Sequence, residues 1–186
     1  HGADALRIYE MFMGPLEATL PWSTNGLDGS LNWIKRVWRL IEEHNNKFTD
    51  HNNGSLDYSY HYLVKKVSSD IETLNLNTAI SQMMIFINDC YKADKIYIEY
   101  IKGFIKMFST FAPHAGEELW EILGNNNTIA YEPWPVYDPN KLVLSEVEII
   151  VQVNSKIRAK LVVEVDSSDE VVKELVMANE SVIKAI

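Results

Sequence analysis

Residues 57–92 have the sequence DYSYHYLVKKVSSDIETLNLNTAISQMMIFINDCYK, and this stretch decides the fold. Apolar side chains recur every three or four positions on both sides of a polar break at Asn75 and Asn77, which is typical of amphipathic helices. The two stripes are formed by Leu63, Val64, Val67, Ile71 and Leu74 and by Leu76, Ile80, Met83, Met84, Ile87 and Tyr91. The sequence therefore predicts helices near 57–74 and 77–92.

The same spacing extends outward and predicts three more helices, near 3–13, 29–44 and 96–123. The last of these is interrupted near Ala112 and Pro113. Proline has no N–H to donate to the carbonyl of Ser109, so two arrangements are open. Either the helix kinks there, or a new helix starts with Pro113 in its first turn.

The pattern changes after the predicted bundle. Residues 128–142 are rich in proline and aromatic side chains, which predicts an extended linker held on a surface by Trp134. Alternation with a period of two then predicts strands at 146–153 and 156–165, and Ser167 or Ser168 is the expected N-cap of a helix. The predicted fold is mainly α: a helical bundle at 1–127, a linker at 128–142 and a small, incomplete α+β (β-β-α) module at 143–186.

The turn of this hairpin admits two registers. A two-residue turn at Asn154 and Ser155 mixes apolar and cationic side chains on one face. A three-residue bulged turn, with Ser155 in the left-handed region, pairs 152 with 156 and separates the two kinds. Because it separates them, we expect the bulged turn, with Val151 opposite Ile157.

Composition limits the classes of protein that fit. The chain has 186 residues, a hydrophobic fraction of 47% and a charged fraction of 23%, which argues against disorder. The net charge of −9 means that any nucleic-acid role must come from local clusters of cations. One cysteine excludes an internal disulfide and fits a reducing compartment. No apolar run is long enough to span a membrane, and we expect a cytoplasmic protein.

Residue patterns for catalysis or metal binding do not occur in the sequence. The five histidines lack the spacing of metal ligands, and we expect His114 to have a hydrogen-bonded structural role. Cys90 lies on the apolar side of a helix and is expected to be buried. Aromatic residues at helical spacing are expected in the core: Trp33, Trp38, Phe104, Phe108, Phe111 and Trp120. We predict no catalytic and no metal-binding residues.

Two acid-free stretches carry positive charge. Residues 29–41 contain Lys35, Arg36 and Arg39, and residues 152–163 contain Lys156, Arg158 and Lys160. Lys35 and Arg39 are one helical turn apart, so both can reach one phosphate backbone. The alternative is an ordinary solvated face, with Arg39 paired to Glu42 or Glu43.

Several stretches also carry a family resemblance. Residues 2–17, GADALRIYEMFMGPLE, resemble the segment that follows the KMSKS loop in bacterial-type leucyl-tRNA synthetases. Leu27-Asp28-Gly29 and residues 36–40, RVWRL, resemble the next stretch of that family. Residues 112–120, APHAGEELW, are similar to a signature of the anticodon-binding helical domain. Residues 151–160, VQVNSKIRAK, resemble the start of the C-terminal domain of the leucine enzyme, although Ser155 replaces the usual glycine.

The resemblance implies a C-terminal fragment of a leucyl-tRNA synthetase: the anticodon-binding bundle plus part of the C-terminal domain. The intact family ligates leucine to tRNA(Leu) with ATP and magnesium, but the motifs for that reaction are absent here. It therefore implies an aminoacyl-tRNA ligase whose fragment is inactive alone, has no cofactor of its own and binds and positions tRNA. The six cations above are the candidate tRNA-binding residues. The alternative is a structural module that packs on the catalytic domain of the same polypeptide and has little affinity for tRNA.

Overall fold

The computed structural model describes residues 1–19, 21–143, 146–153, 156–164 and 167–183. The chain divides into two compact units, His1–Leu142 and Val143–Ile186.

Six α-helices form the described part of the first unit. They are α1 (Ala3–Phe12), α2 (Thr24–Glu43), α3 (Asp57–Glu72), α4 (Leu76–Lys92), α5 (Ile98–Phe111) and α6 (Pro113–Ile122). The predicted helices near 3–13, 57–74 and 77–92 are confirmed. The predicted start of α2 at residue 29 is wrong, because Ser23 caps the helix by accepting a hydrogen bond from the amide of Gly26.

The break at Ala112 is resolved in favour of a new helix. The helix α5 ends at Phe111, and α6 begins with Pro113 in its first turn. The buried carboxylate of Asp4, from α1, accepts a hydrogen bond from the amide of Ala115 at 2.7 Å. Its other oxygen lies 2.8 Å from Nδ1 of His114, which confirms the hydrogen-bonded role predicted for that histidine. A carboxylate at this helix N-terminus offsets the positive end of the helix dipole.

A column of aromatic rings fills the centre of this unit. The ring of Phe104 on α5 stacks on Phe86 of α4 at 5.7 Å and on Phe108 at 5.8 Å, and Phe108 meets Trp33 of α2 edge-on at 5.5 Å. Five of the six aromatics predicted for the core are buried, and Trp38 is partly buried. The prediction that this stripe is core material is therefore confirmed.

The segment from α6 to residue 142 packs against the helices of the same unit. The indole N–H of Trp134 donates to Oγ of Ser68 at 2.8 Å. The carboxylate of Glu117 accepts hydrogen bonds from the hydroxyl of Thr128 and the amide of Ile129, which starts a short 3₁₀-helix, Ile129–Tyr131. A second 3₁₀-helix, Pro139–Leu142, and a short parallel pair of strands, β1 (Phe48–Thr49) and β2 (Ile96–Tyr97), complete the unit.

A polar cluster attaches the second 3₁₀-helix region to α3. The amide of Asp138 donates to Nδ1 of His61 at 3.0 Å, so this nitrogen carries no proton. Beside it, the carboxylate of Asp57 accepts hydrogen bonds from Tyr100 and Lys141 at 2.5 and 2.9 Å. Burial lowers the pKa of His61, and the charge of Lys141 lowers it further. The histidine is therefore held neutral.

The described residues of the second unit form an antiparallel hairpin and two helices. The strands are β3 (Glu146–Val153) and β4 (Lys156–Glu164), and the helices are α7 (Asp169–Ala178) and α8 (Glu180–Ile183). Ser168 is the N-cap of α7, with its hydroxyl accepting a hydrogen bond from the amide of Val171. The predicted strands and helix are confirmed within the described residues.

The predicted register of the hairpin is wrong. Val153 pairs with Lys156 and Gln152 with Ile157, but Val151 then pairs with Ala159, which leaves Arg158 without a partner on β3. The extra residue is thus a bulge inside β4 and is not in the turn. The proposed left-handed conformation of Ser155 lies outside the described residues.

The bulge still separates the two faces along most of the hairpin. Ile149 and Val151 pair with Leu161 and Ala159, and these four side chains are partly buried. On the other face, Ile150 pairs with Lys160, and both are exposed. Apolar and cationic side chains are therefore separated along most of the hairpin, as predicted. The register shift that separates them occurs within β4 and not in the turn.

Close contact between α5 and α6 depends on Gly116. A Cβ atom at this position would lie 2.5 Å from Cβ and 2.7 Å from Cα of Ser109. We expect Gly116→Ala to lower the free energy of unfolding by about 1–3 kcal/mol, because the backbone of α5 would have to move. At Gly29 of α2, an added Cβ meets no atom within 4 Å, so Gly29→Ala should raise stability by about 0.5–1 kcal/mol. Urea unfolding of both variants checks this, and equal stabilities would contradict it.

The neutral state of His61 predicts a pH dependence. Its pKa is 6.5 when unperturbed and lower in the folded chain, so only the unfolded chain gains a proton as pH first falls below 6.5. The stability contribution is complete above that pH and is lost as pH falls toward the folded pKa, at no more than about 1.4 kcal/mol per pH unit. The free energy of unfolding, measured from pH 7.5 to 5, should fall more steeply for the native chain than for His61→Gln. Parallel curves would refute the assignment.

Candidate nucleic-acid interface

The helix α2 presents its predicted cations to solvent. Trp33, Ile34 and Val37 face the core, and the opposite side carries Lys35, Arg36 and Arg39. All three cations are exposed. Their positions on the helix follow directly from its apolar stripe, because a buried stripe leaves the intervening positions on the outside.

The contacts of two of these cations are weak. Nε of Arg39 lies 3.6 Å from Oε2 of Glu43, which is the pairing that the solvated-face alternative anticipates. Both side chains are more than half exposed, so this pair contributes less than about 1 kcal/mol and can exchange for another anion. Among the described residues, no carboxylate oxygen lies within 4 Å of the Lys35 ammonium.

Arg36 differs because an aromatic ring supports it. Its guanidinium lies over the ring of Tyr91 on α4, 4.7 Å from the centroid. The hydroxyl of Tyr91 donates to the main-chain carbonyl of Arg36 at 2.9 Å, and the ring meets His44 edge-on at 5.3 Å. Sequence reasoning placed Tyr91 in the apolar stripe of α4 and missed this contact. No local sequence pattern indicates this contact, because Arg36 and Tyr91 lie 55 positions apart in the sequence.

The hairpin cations do not share one face. Lys156 pairs with Val153, which lies on the side of Val151, whereas Lys160 pairs with Ile150 on the opposite side. The predicted bulged-turn register would have placed the three cations together on one face, but the bulge at Arg158 interrupts the alternation. All three are exposed, and Lys160 forms an exposed ion pair with Glu148 at 3.2 Å. The three cations thus lie on one strand but not all on one face of the hairpin.

Many other cations of the bundle are engaged within the chain. Arg7 donates to the carbonyls of Thr110 and Phe111, at the C-terminus of α5. Lys47 donates to the carbonyls of Tyr91 and Ala93, at the C-terminus of α4. These contacts satisfy unpaired carbonyls and offset the negative ends of the helix dipoles. Four further lysines pair with carboxylates within 3 Å: Lys66 with Asp70, Lys102 with Glu99, Lys106 with Glu132 and Lys141 with Asp57. Lys65 and Lys95 are exposed, like the α2 cations.

Cys90 and the residue types that bind metals do not form a catalytic or metal site among the described residues. Cys90 is fully buried in α4, and burial raises the pKa of its thiol, so it is present as the thiol. In the part of the chain that the structure describes, no group of three or more His, Cys, Asp or Glu side chains is placed to hold a metal ion. None of the described helices is both long enough and apolar enough to cross a membrane.

Comparison with known proteins relates this arrangement to tRNA ligases. A family described as the anticodon-binding domain of tRNA ligase matches residues 56–173, which is more than half of the chain. Among solved structures, the chain is similar to the Agrobacterium radiobacter K84 agnB2 leucyl-tRNA synthetase in a ternary complex with tRNA and LeuAMS. The TM-score is 0.76 and the sequence identity 25%, over 98% of this chain and 26% of that one.

The family match covers α3 to α6 and continues through the hairpin into α7, so it includes most of the elements described above. The chain belongs to the family of anticodon-binding domains of tRNA ligases.

Proposed function

We propose that this chain is the tRNA-docking part of a leucine–tRNA ligase and that its natural partner is tRNA(Leu). The observation that carries this proposal is the structural similarity over 98% of the chain to a leucyl-tRNA synthetase in complex with tRNA. The chain spans about a quarter of that protein, so ligation of leucine is proposed for the larger enzyme and not for this chain alone.

The proposed role is positional. Contacts between cations and phosphates fix the orientation of a nucleic acid without reading its sequence, and folded RNA is recognised largely by its shape and backbone. We propose that Lys35, Arg36 and Arg39 of α2 contact one stretch of phosphate backbone. Of the hairpin cations Lys156, Arg158 and Lys160, we propose that at most two contact a second stretch, because Lys156 and Lys160 lie on opposite faces. The weak pairing of Arg39 supports this assignment, because little free energy is lost when a phosphate replaces Glu43.

The two units divide this role between them. We assign residues 1–127 to the anticodon-binding bundle, 128–142 to the segment that follows it and 143–186 to part of a C-terminal tRNA-binding domain. Use of ATP and magnesium belongs to the catalytic part of the ligase, and we expect the chain alone to be inactive and the enzyme to be cytoplasmic.

A second role is favoured by exposed apolar side chains on α1 and in the segment after it. Leu6, Phe12, Leu16 and Trp22 are 44%, 38%, 53% and 59% exposed. Large apolar side chains grouped in one segment are typical of surfaces that another domain covers. We propose that this segment packs on the catalytic part of the ligase, which is compatible with tRNA docking by the cations.

Binding of tRNA(Leu) by the isolated chain should be weak and should fall steeply as salt rises. We expect the triple variant Lys35→Ala, Arg36→Ala, Arg39→Ala to bind more weakly and to show a flatter salt dependence, by about one unit of slope per lost phosphate contact. In the hairpin variant Lys156→Ala, Arg158→Ala, Lys160→Ala, the salt slope should fall by about two units at most, because Lys156 and Lys160 lie on opposite faces. Fluorescence anisotropy at several salt concentrations measures both quantities.

Lys102→Ala provides a control for this titration. It removes one positive charge where each triple variant removes three, and Lys102 is already paired with Glu99 at 2.9 Å. Its salt slope should equal that of the native chain. An unchanged slope in the α2 variant would remove that helix from the interface, and no binding by the native chain would leave only the packing role.

The packing role is tested with the remainder of the Agrobacterium leucyl-tRNA synthetase, prepared without the segment that this chain matches. We expect the two proteins to associate and the variant Leu6→Ser, Phe12→Ser to reduce the affinity at least tenfold, as expected for loss of buried apolar side chains. Ile85→Ser is the control, since Ile85 is 49% exposed on α4. Calorimetric titration provides the affinities, and equal values for all three chains would refute the role.

A further inference from the structure

The support of Arg36 by Tyr91 distinguishes this cation from its neighbours on α2. The ring lies beneath the guanidinium, and the hydroxyl holds the carbonyl of the same residue. Tyr91 therefore fixes both the main chain and the side chain of Arg36. Lys35 and Arg39 have no aromatic ring beneath their charged groups among the contacts of the described residues.

A guanidinium held in this way keeps its hydrogen-bonding edge available. Stacking uses a face of the planar group, while its five N–H donors point outward in the plane. Arg36 is exposed although its guanidinium lies over the ring, so donors of this group can reach solvent. Arginine binds phosphate oxygens with two parallel hydrogen bonds, and a group that is already oriented loses less conformational entropy on binding.

The surroundings of Tyr91 hold this support in place. The amine of Lys47 donates to the carbonyl of Tyr91 itself, which fixes the end of α4 and offsets its negative dipole. Burial raises the pKa of Tyr91, so its hydroxyl stays protonated and remains the donor to Arg36. His44 packs on the same ring in a T-shaped arrangement at 5.3 Å, which gives Tyr91 a second neighbour besides the guanidinium.

We propose that Tyr91 is a positioning residue for tRNA binding: it holds the guanidinium of Arg36 so that its outward edge binds one backbone phosphate. This inference rests on the proposed function and deepens it. It predicts that the effect of Tyr91 on affinity passes through Arg36 and that this part of α2 contributes one oriented contact.

The test is a double-mutant cycle on the full chain, titrated with tRNA(Leu) at two salt concentrations. Arg36→Ala should weaken binding about tenfold and reduce the salt slope by about one unit. Tyr91→Leu should weaken binding about two- to fivefold, since it removes the cation–π contact. Tyr91→Phe retains the ring and should bind within about twofold of the native chain. Tyr91→Leu should have no further effect when Arg36 is already alanine.

Thermal unfolding of each variant shows whether weaker binding reflects loss of positioning or loss of stability. If Tyr91→Leu weakens binding equally in the Arg36→Ala background, the inference is refuted although the proposed function survives. If the native chain does not bind tRNA(Leu), both the inference and the proposed tRNA docking fail.

Arg36→Lys provides a second measurement at an exposed site that does not threaten folding. It keeps the charge but loses the planar group, so affinity should fall severalfold with little change in slope. Affinity equal to that of the native chain would overturn the proposal.

Discussion

The aromatic column along α5 is the constraint on which the bundle depends. Phe104 and Phe108 lie one helical turn apart, so one helix presents both rings in line and joins α4, through Phe86, to α2, through Trp33. Rings of this size pack in few arrangements, and interiors of protein density tolerate little displacement. The column therefore fixes the rotation of α2 about its axis, and that rotation decides which side chains of α2 point to solvent.

Placement of charge in the bundle follows from this rotation. Arg7 and Lys47 complete helix ends, and four further lysines pair with carboxylates, so these cations serve the fold first. The cations of α2 are placed differently, because their side of the helix meets Tyr91 and solvent. A net charge of −9 is thus compatible with local attraction to a polyanion, since attraction depends on the nearby charges and salt screens the distant ones.

Periodicity predicted most of the fold because burial repeats at the period of each element. It failed where a contact over a long sequence distance decides the outcome. The helix α2 includes Gly26, a poor helix former, because an added Cβ there would lie 2.8 Å from the ring of Tyr9. The bulge at Arg158 has no glycine to mark it, and the alternation from Lys156 to Lys160 looks unbroken. For the candidate site, the α2 cations were found by sequence, but the role of Tyr91 requires the tertiary fold.

Complete burial of Cys90 gives the chain a natural chemical reporter. The side chain lies in the core of α4, and it is the sole thiol in the sequence. A thiol reagent reacts with the thiolate, which burial disfavours, so modification must wait until α4 separates from its neighbours. The rate of labelling then measures how often the bundle opens, without any introduced probe. Ligands that hold the bundle closed would slow that rate in proportion to their binding to the folded state.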